Sequence, residues 1–193
     1  LGAIDAALRR CLGDVVEDPA VERAAALARV AAEACRPDGR PLCAGHLSLD
    51  WPEAPHLVLW HATSILREHR GDGHIAALVD AQLSGLEALV CHAASGEVPA
   101  AVLQSTRGWS DEAWAAAVAA LADRGIVEPS GEPTAEGAAL RQHVEDRTDA
   151  LALAPWAALG EEGCDELRAL VRPLSRTILE RNRFGFDPSG APG

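Results

Sequence analysis

Lysine, methionine and tyrosine are missing from this 193-residue chain, and only two phenylalanines are present. All 17 basic residues are therefore arginine, which together with the abundant Ala and Gly points to a GC-rich coding bias rather than to chemistry. Positive charge is scarce overall. Seventeen arginines face 29 acidic residues, for a formal charge of -12. Most nucleic-acid affinity comes from neutralising phosphates, so such a chain is handicapped as a DNA binder unless its arginines cluster. The five cysteines (Cys11, Cys35, Cys43, Cys91, Cys164) contain no CxxC, and no HExxH or Cys/His pair at zinc spacing occurs. A GxSxG elbow and a Gly-rich phosphate loop are also absent, so serine hydrolysis and P-loop chemistry have no support. No cofactor and no metal is expected. Neither a signal-peptide pattern nor an apolar run of membrane-spanning length is found, so a cytoplasmic protein with reduced thiols and no membrane partner is expected. Cys35 and Cys43 flank a short Arg/Pro/Gly loop, but this cysteine usage disfavours a disulfide between them.

What is present favours helix. The chain is Ala-rich and 48% hydrophobic, with few β-branched residues other than Val, so the expected fold class is all-α, a helical bundle. Ile4, Leu8 and Leu12 make one stripe of a short helix ending at Gly13. Asp18-Pro19 reads as an N-cap with proline at the first helical position, opening a helix to about Ala34. From Arg36 to Pro55 a loop and hinge are expected. An apolar helix from about His56 to His69 then breaks at Gly71 and Gly73 into a charged loop, followed by a helix from Ile75 to Ala94. Pro99 to Gln104 reads as a short helix. Ala135 to about Ala152 is amphipathic, Pro155-Trp156 turns the chain, Gly160 breaks it, and Glu161 to Arg181 is a last helix with a break or kink at Pro173. The expected segments are 1–55 (N-terminal helices and linker), 56–154 (central helix and winged unit), 155–181 (C-terminal helix) and 182–193 (a flexible tail or a strap docked by Phe184 and Phe186).

The clearest plan lies between Gln104 and Leu140. A polar turn leads to Ser110, an N-cap candidate followed by Asp111 and Glu112 where the helix dipole favours negative charge. Trp114, Val118 and Leu121 then share a face, and Arg124-Gly125 closes the helix. Ile126-Val127, a Pro129-Ser130-Gly131 turn and Thr134 as the next N-cap complete a helix, hairpin, helix order, which reads as a winged helix-turn-helix with a small two-stranded wing. This order, with its RG(I/L)V…G…T..G pattern, resembles MarR-like winged-helix proteins. The segments LWHATSILREHRGDGH, RGWSDEAWAAAVAALADRGIVEPSG and RTDALALAPWAALG resemble an actinobacterial helix-turn-helix family. The resemblance covers most of the chain and implies a fold rather than a chemistry. It also implies a further helical region before Leu1, since the chain opens without Met directly into a helical pattern.

The strongest candidate site is the charged stretch REHRGDGH. Arg67, His69, Arg70, Asp72 and His74 at a helix-loop-helix junction would suit an anionic small molecule, because Arg forks carboxylate or phosphate. A structural ion pair between Arg67 and Glu68, with Asp72 as a helix cap, explains the same residues. His61 is the residue that would join this group from the helix above. Trp109 is a candidate wall for an aromatic ligand, although tryptophans more often anchor cores. Arg141, Glu145 and Asp149 form a polar stripe that would close the cavity against that loop. DNA contacts would fall to Ser105, Thr106, Arg107 and Arg124. The recognition helix itself carries Asp111, Glu112 and Asp123 around an alanine middle, with no side chain for bidentate base readout. The residues thus favour a small-molecule-binding or regulatory protein on a degenerate MarR-like winged-helix scaffold. The alternatives are a DNA-binding transcriptional regulator, a homodimer in the usual case, and an enzyme using the 67–74 loop.

Overall fold

A computed structural model of the chain describes residues 1–181. The fold is all-α: eight α-helices and one short 3-10 turn, with no strands among the described residues. The chain divides into two compact units, one holding Leu1–Gly73 and 151–181, the other His74–Ala150. Each has its own core.

The first unit begins with α1 (Gly2–Leu12), stopped by Gly13 at φ 62°. After the 3-10 turn, Asp18 accepts a hydrogen bond from the Ala20 amide and Pro19 opens α2 (Pro19–Glu33). Local chemistry dictates that start. Its alanines 24, 28, 31 and 32 are fully buried beside Ala62 and Ile65 of α4, in a core that also holds Cys35, Cys43 and Leu167. With methyl groups at most of the buried positions of α2, the backbones can approach closely. The expected 36–55 loop contains a helix, α3 (Pro41–Leu47).

Helix α4 runs unbroken over Pro55–Asp80, so residues 67–74 are helical and not a loop. Two glycines inside a helix cost about 1 kcal/mol each, and the expected break rested on that cost. The structure supplies the compensation at Gly73. An added Cβ there would lie 2.8 Å from Nη1 of Arg40, so the missing side chain makes room for a guanidinium. Arg40 donates through Nη1 to the His69 carbonyl and through Nη2 to the Leu151 carbonyl, the latter at 2.8 Å. The second bond answers a specific deficit, because Leu151 sits four residues before Pro155, which has no N–H to give it. The α8 span (Ala135–Arg181) therefore passes through Pro155 and Pro173, but it is two helices joined at a kink at Gly160, at φ 77° and ψ 167°, where a break was expected. The turn expected at Pro155-Trp156 is absent.

In the second unit the end of α4 leads through Gln82, at φ 54°, to α5 (Gly85–Ala94). Ser84 and Glu87 form a reciprocal capping box there, which explains why the chain breaks before Gly85 where a continuous helix was expected. Helix α6 (Ala100–Arg107) ends on Gly108 in the left-handed region, and Ser110 caps α7 (Asp111–Asp123). Leu121, Val90, Val127 and Val144 lie at the centre of this core. The expected two-stranded wing is reduced to a single antiparallel bridge, Val127 to Pro133, around a turn in which Gly131 N–H bonds the Glu128 carbonyl. The reason is length. Gly125 still belongs to the end of α7 and Thr134 already caps α8, so too few residues remain for strands. Among the described residues no single helix is long and apolar enough to cross a membrane.

Candidate functional site

The residues expected to form a charged pocket at 67–74 lie along one helix. Arg67 is exposed and pairs with its neighbour Glu68. His69 and Asp72 are buried, at 3% and 6% exposure. The Asp72 carboxylate accepts from the Cys43 amide at 2.9 Å, satisfying one of the free donors at the start of α3. Arg70 is exposed. His74 belongs to the second unit, where its Nδ1 lies 2.9 Å from the Thr148 hydroxyl. His61 is buried against Trp51, edge to face at 4.8 Å, and its ring centroid is 6.4 Å from that of His46. Arg29 covers the other side of this stack, 4.5 Å from the Trp51 ring. Among the described residues, no group of three His, Cys, Asp or Glu side chains is placed to hold a metal.

Burial holds His61 below the usual imidazole range, with His46 adding to it, and does the same to His69, where Arg40 adds and Asp72 opposes. The unfolded chain then takes up these protons first. Stability from the neutral rings is full above about pH 6.5 and is lost as pH falls toward the depressed folded values. The urea midpoint is therefore expected to fall between pH 7.5 and 5, and His61→Phe to fall less steeply. A midpoint that holds level in the native chain would contradict this.

Burial likewise raises the thiols: Cys35, beside Cys43, is pushed up to about 12, and Cys43 and Cys91 are raised. All five cysteines are free. Such thiols pack as small apolar groups.

In the second unit, α6, the Gly108 turn and α7 form the helix-turn-helix. Gln104 bonds Asp111 across the turn at 2.7 Å. Ser105, Thr106 and Arg107 lie in the last turn of α6, not in a connecting loop. The Ser105 and Thr106 hydroxyls donate to the Val102 carbonyl, while Arg107 is exposed at the helix end. Arg124, exposed, donates to the Gln82 carbonyl and to Glu87, at 3.1 and 3.2 Å. Trp109 is exposed, and the outer face of α7 consists of Asp111, Glu112, Ala115, Ala116, Ala119, Ala120 and Asp123. Residues 74–150 contain four arginines and twelve carboxylates.

The polar stripe on α8 is used within the same unit. Arg141 reaches Glu97 at 2.8 Å, Glu145 at 3.1 Å and His92 at 3.2 Å, beside a recess of about 390 Å³ bounded by Cys91, Ile126 and Gly137. Glu145 thus has its ion pair there, and Asp149 lies exposed one turn further on.

A cavity in the first unit is one that sequence patterns did not reveal. Of about 640 Å³, it is bounded by Leu8 and Leu12 of α1, Val21 of α2, Leu59 and Trp60 of α4, and Leu167 and Ile178 of α8. Buried His56, its Nε2 held at 2.6 Å by Asp5, closes one wall.

No curated protein and no solved structure matches the chain. Residues 1–185 match the sequence model of a helix-turn-helix family, and the chain belongs to it.

Proposed function

We propose that the protein is a DNA-binding regulator in which α7 enters the major groove. The observation that carries this reading is the α6, Gly108 turn, α7 arrangement in a chain that belongs to a helix-turn-helix family. The order of helix, tight turn and following helix also supports a MarR-like mode, in which a two-fold dimer would set two α7 helices about 34 Å apart. Charge makes it an unusual member of that class. Arg124 is engaged by the Gln82 carbonyl and Glu87, so phosphate contact falls mainly to Arg107 and neutralisation contributes little. The alanine face of α7 has no base-pairing side chain, and its available readout is apolar contact with thymine methyl groups.

Titration of labelled promoter-derived and random duplexes between about 50 and 200 mM salt tests this. The expected result is binding with a shallow salt dependence, a slope smaller by about 1 per contacted site in Arg107→Ala, and weaker binding when uracil replaces thymine. Absence of binding at the lowest salt would remove the reading.

A second reading, small-molecule binding, is favoured by the first unit's cavity of about 640 Å³. That volume falls within the range of small-molecule sites, about 300–1,000 Å³. The two readings join in a regulator whose helix-turn-helix unit answers to a ligand held in the other.

A further inference from the structure

Resting on that second reading, we propose that the first unit's cavity binds an apolar molecule bearing a single carboxylate, in the manner of a medium-chain fatty acid. Burial grades along its walls. Leu12, Val21, Leu66 and Leu167 are buried, whereas Leu153 is 63% and Trp156 37% exposed, and Arg168 and Ser175 are exposed at the same rim. A molecule entering this space meets hydrocarbon at depth and a guanidinium at the opening. The charge is selective as well. In a chain with 29 acidic residues, no carboxylate lines the cavity among the described residues, and Arg168 is the side chain with a permanent charge that does. Among the described residues its Nη1 holds Asp165 at 2.7 Å, and its remaining N–H donors can serve a second carboxylate.

His56 does not compete for the head group, because its Nε2 is committed to Asp5. Thr63, exposed toward the opening, spends its hydroxyl proton on the carbonyls of Leu59 and Trp60 in its own helix. The deep part therefore offers little to a second polar group, so the ligand carries its polarity at one end. A neutral amphipath would gain the same burial without the ion pair, and a cationic one would meet Arg168.

Trp60 and Trp156 line the cavity and report on its contents. The full chain is titrated with dodecanoate, dodecanol and dodecyltrimethylammonium below their micelle concentrations, following tryptophan fluorescence and heat of binding. Dodecanoate is expected to bind about tenfold tighter than dodecanol and tighter still than the cation. Arg168→Gln should abolish that preference while leaving dodecanol affinity unchanged, and Leu174→Trp, which fills the cavity, should weaken both, with circular dichroism confirming that each variant is folded. Equal affinity for acid and alcohol, or an Arg168→Gln variant that keeps the preference, would overturn the assignment of a carboxylate while leaving an apolar site. Failure of all three probes to bind would remove the ligand-binding reading itself. A Phe184→Ser, Phe186→Ser chain that binds dodecanoate more than about 100-fold tighter would name the chain's own end as the occupant, and so overturn the proposal.

Discussion

Gly137→Ala is expected to destabilise the second unit by about 3 kcal/mol, although helix propensity alone favours alanine there by about 1 kcal/mol. Gly137 is in the first turn of α8, and an ideal Cβ would stand 1.8 Å from the Ile126 carbonyl oxygen and 2.8 Å from its carbon. Both are backbone atoms that cannot swing aside. They are held in place from two directions: Thr134 donates its hydroxyl to the Gly125 carbonyl at 2.6 Å, and the Thr134 amide bonds the Ile126 carbonyl at 3.2 Å. Thr134 also receives the Gly137 amide at 3.0 Å, so the threonine and the glycine act as one device. Relief would require moving either the start of α8 or the strand-like pair Ile126-Val127, and both side chains of that pair are buried in the core. Urea unfolding followed by far-UV circular dichroism checks this. A midpoint equal to or above that of the native chain would show the helix start to be more yielding than its hydrogen bonds imply.

Arg40→Met is expected to cost the first unit about 2 kcal/mol, since a charged hydrogen bond is worth more than a neutral one and its loss strands a part-buried acceptor. The acceptor is the Leu151 carbonyl, which Pro155 leaves without its usual helical donor. Methionine keeps much of the aliphatic stem while removing the fork. Arg40→Lys should recover part of the loss, because an ammonium can serve one carbonyl well but does not span two in a fixed plane. Gly73→Ala should be costly for the same reason, with its Cβ 2.8 Å from the guanidinium. In the double variant Arg40→Met, Gly73→Ala the losses should add to less than their sum, since the first change removes what the second collides with. Denaturant midpoints of the four proteins decide it. Strict additivity would show the glycine to serve something other than Arg40.

The parts of the fold that were legible in the sequence are those settled within a few residues. Asp18-Pro19 and Ser110 announce helix starts because their side chains bond amides two or three positions away. Gly125, at φ 71°, marks the end of α7 for the same local reason. What stayed hidden depends on partners far along the chain. Gly73 looked like part of a break because its compensation comes from residue 40, and Pro155 looked like a turn because its missing donor is replaced from the same place. The charged residues at 67–74 were visible, but not that Asp72 is spent on the Cys43 amide. The cavity was invisible for a further reason: apolar residues that line a space and apolar residues that fill a core have the same periodicity. In the helix-turn-helix the acidic character was plain in the sequence, and only the pairing of Arg124 with Glu87 adds to it.

The raised, buried thiols have one last consequence. Cys35 and Cys43 sit in the first core and Cys91 in the second, so each unit carries its own internal clock. A bulky thiol reagent reaches them only when the surrounding helices part, and the rate at which each is modified in native buffer gives the opening free energy of its unit separately. If α7 does engage DNA, Cys91 should be slowed by duplex while the other pair keeps its pace; if a fatty acid fills the cavity, the order should reverse.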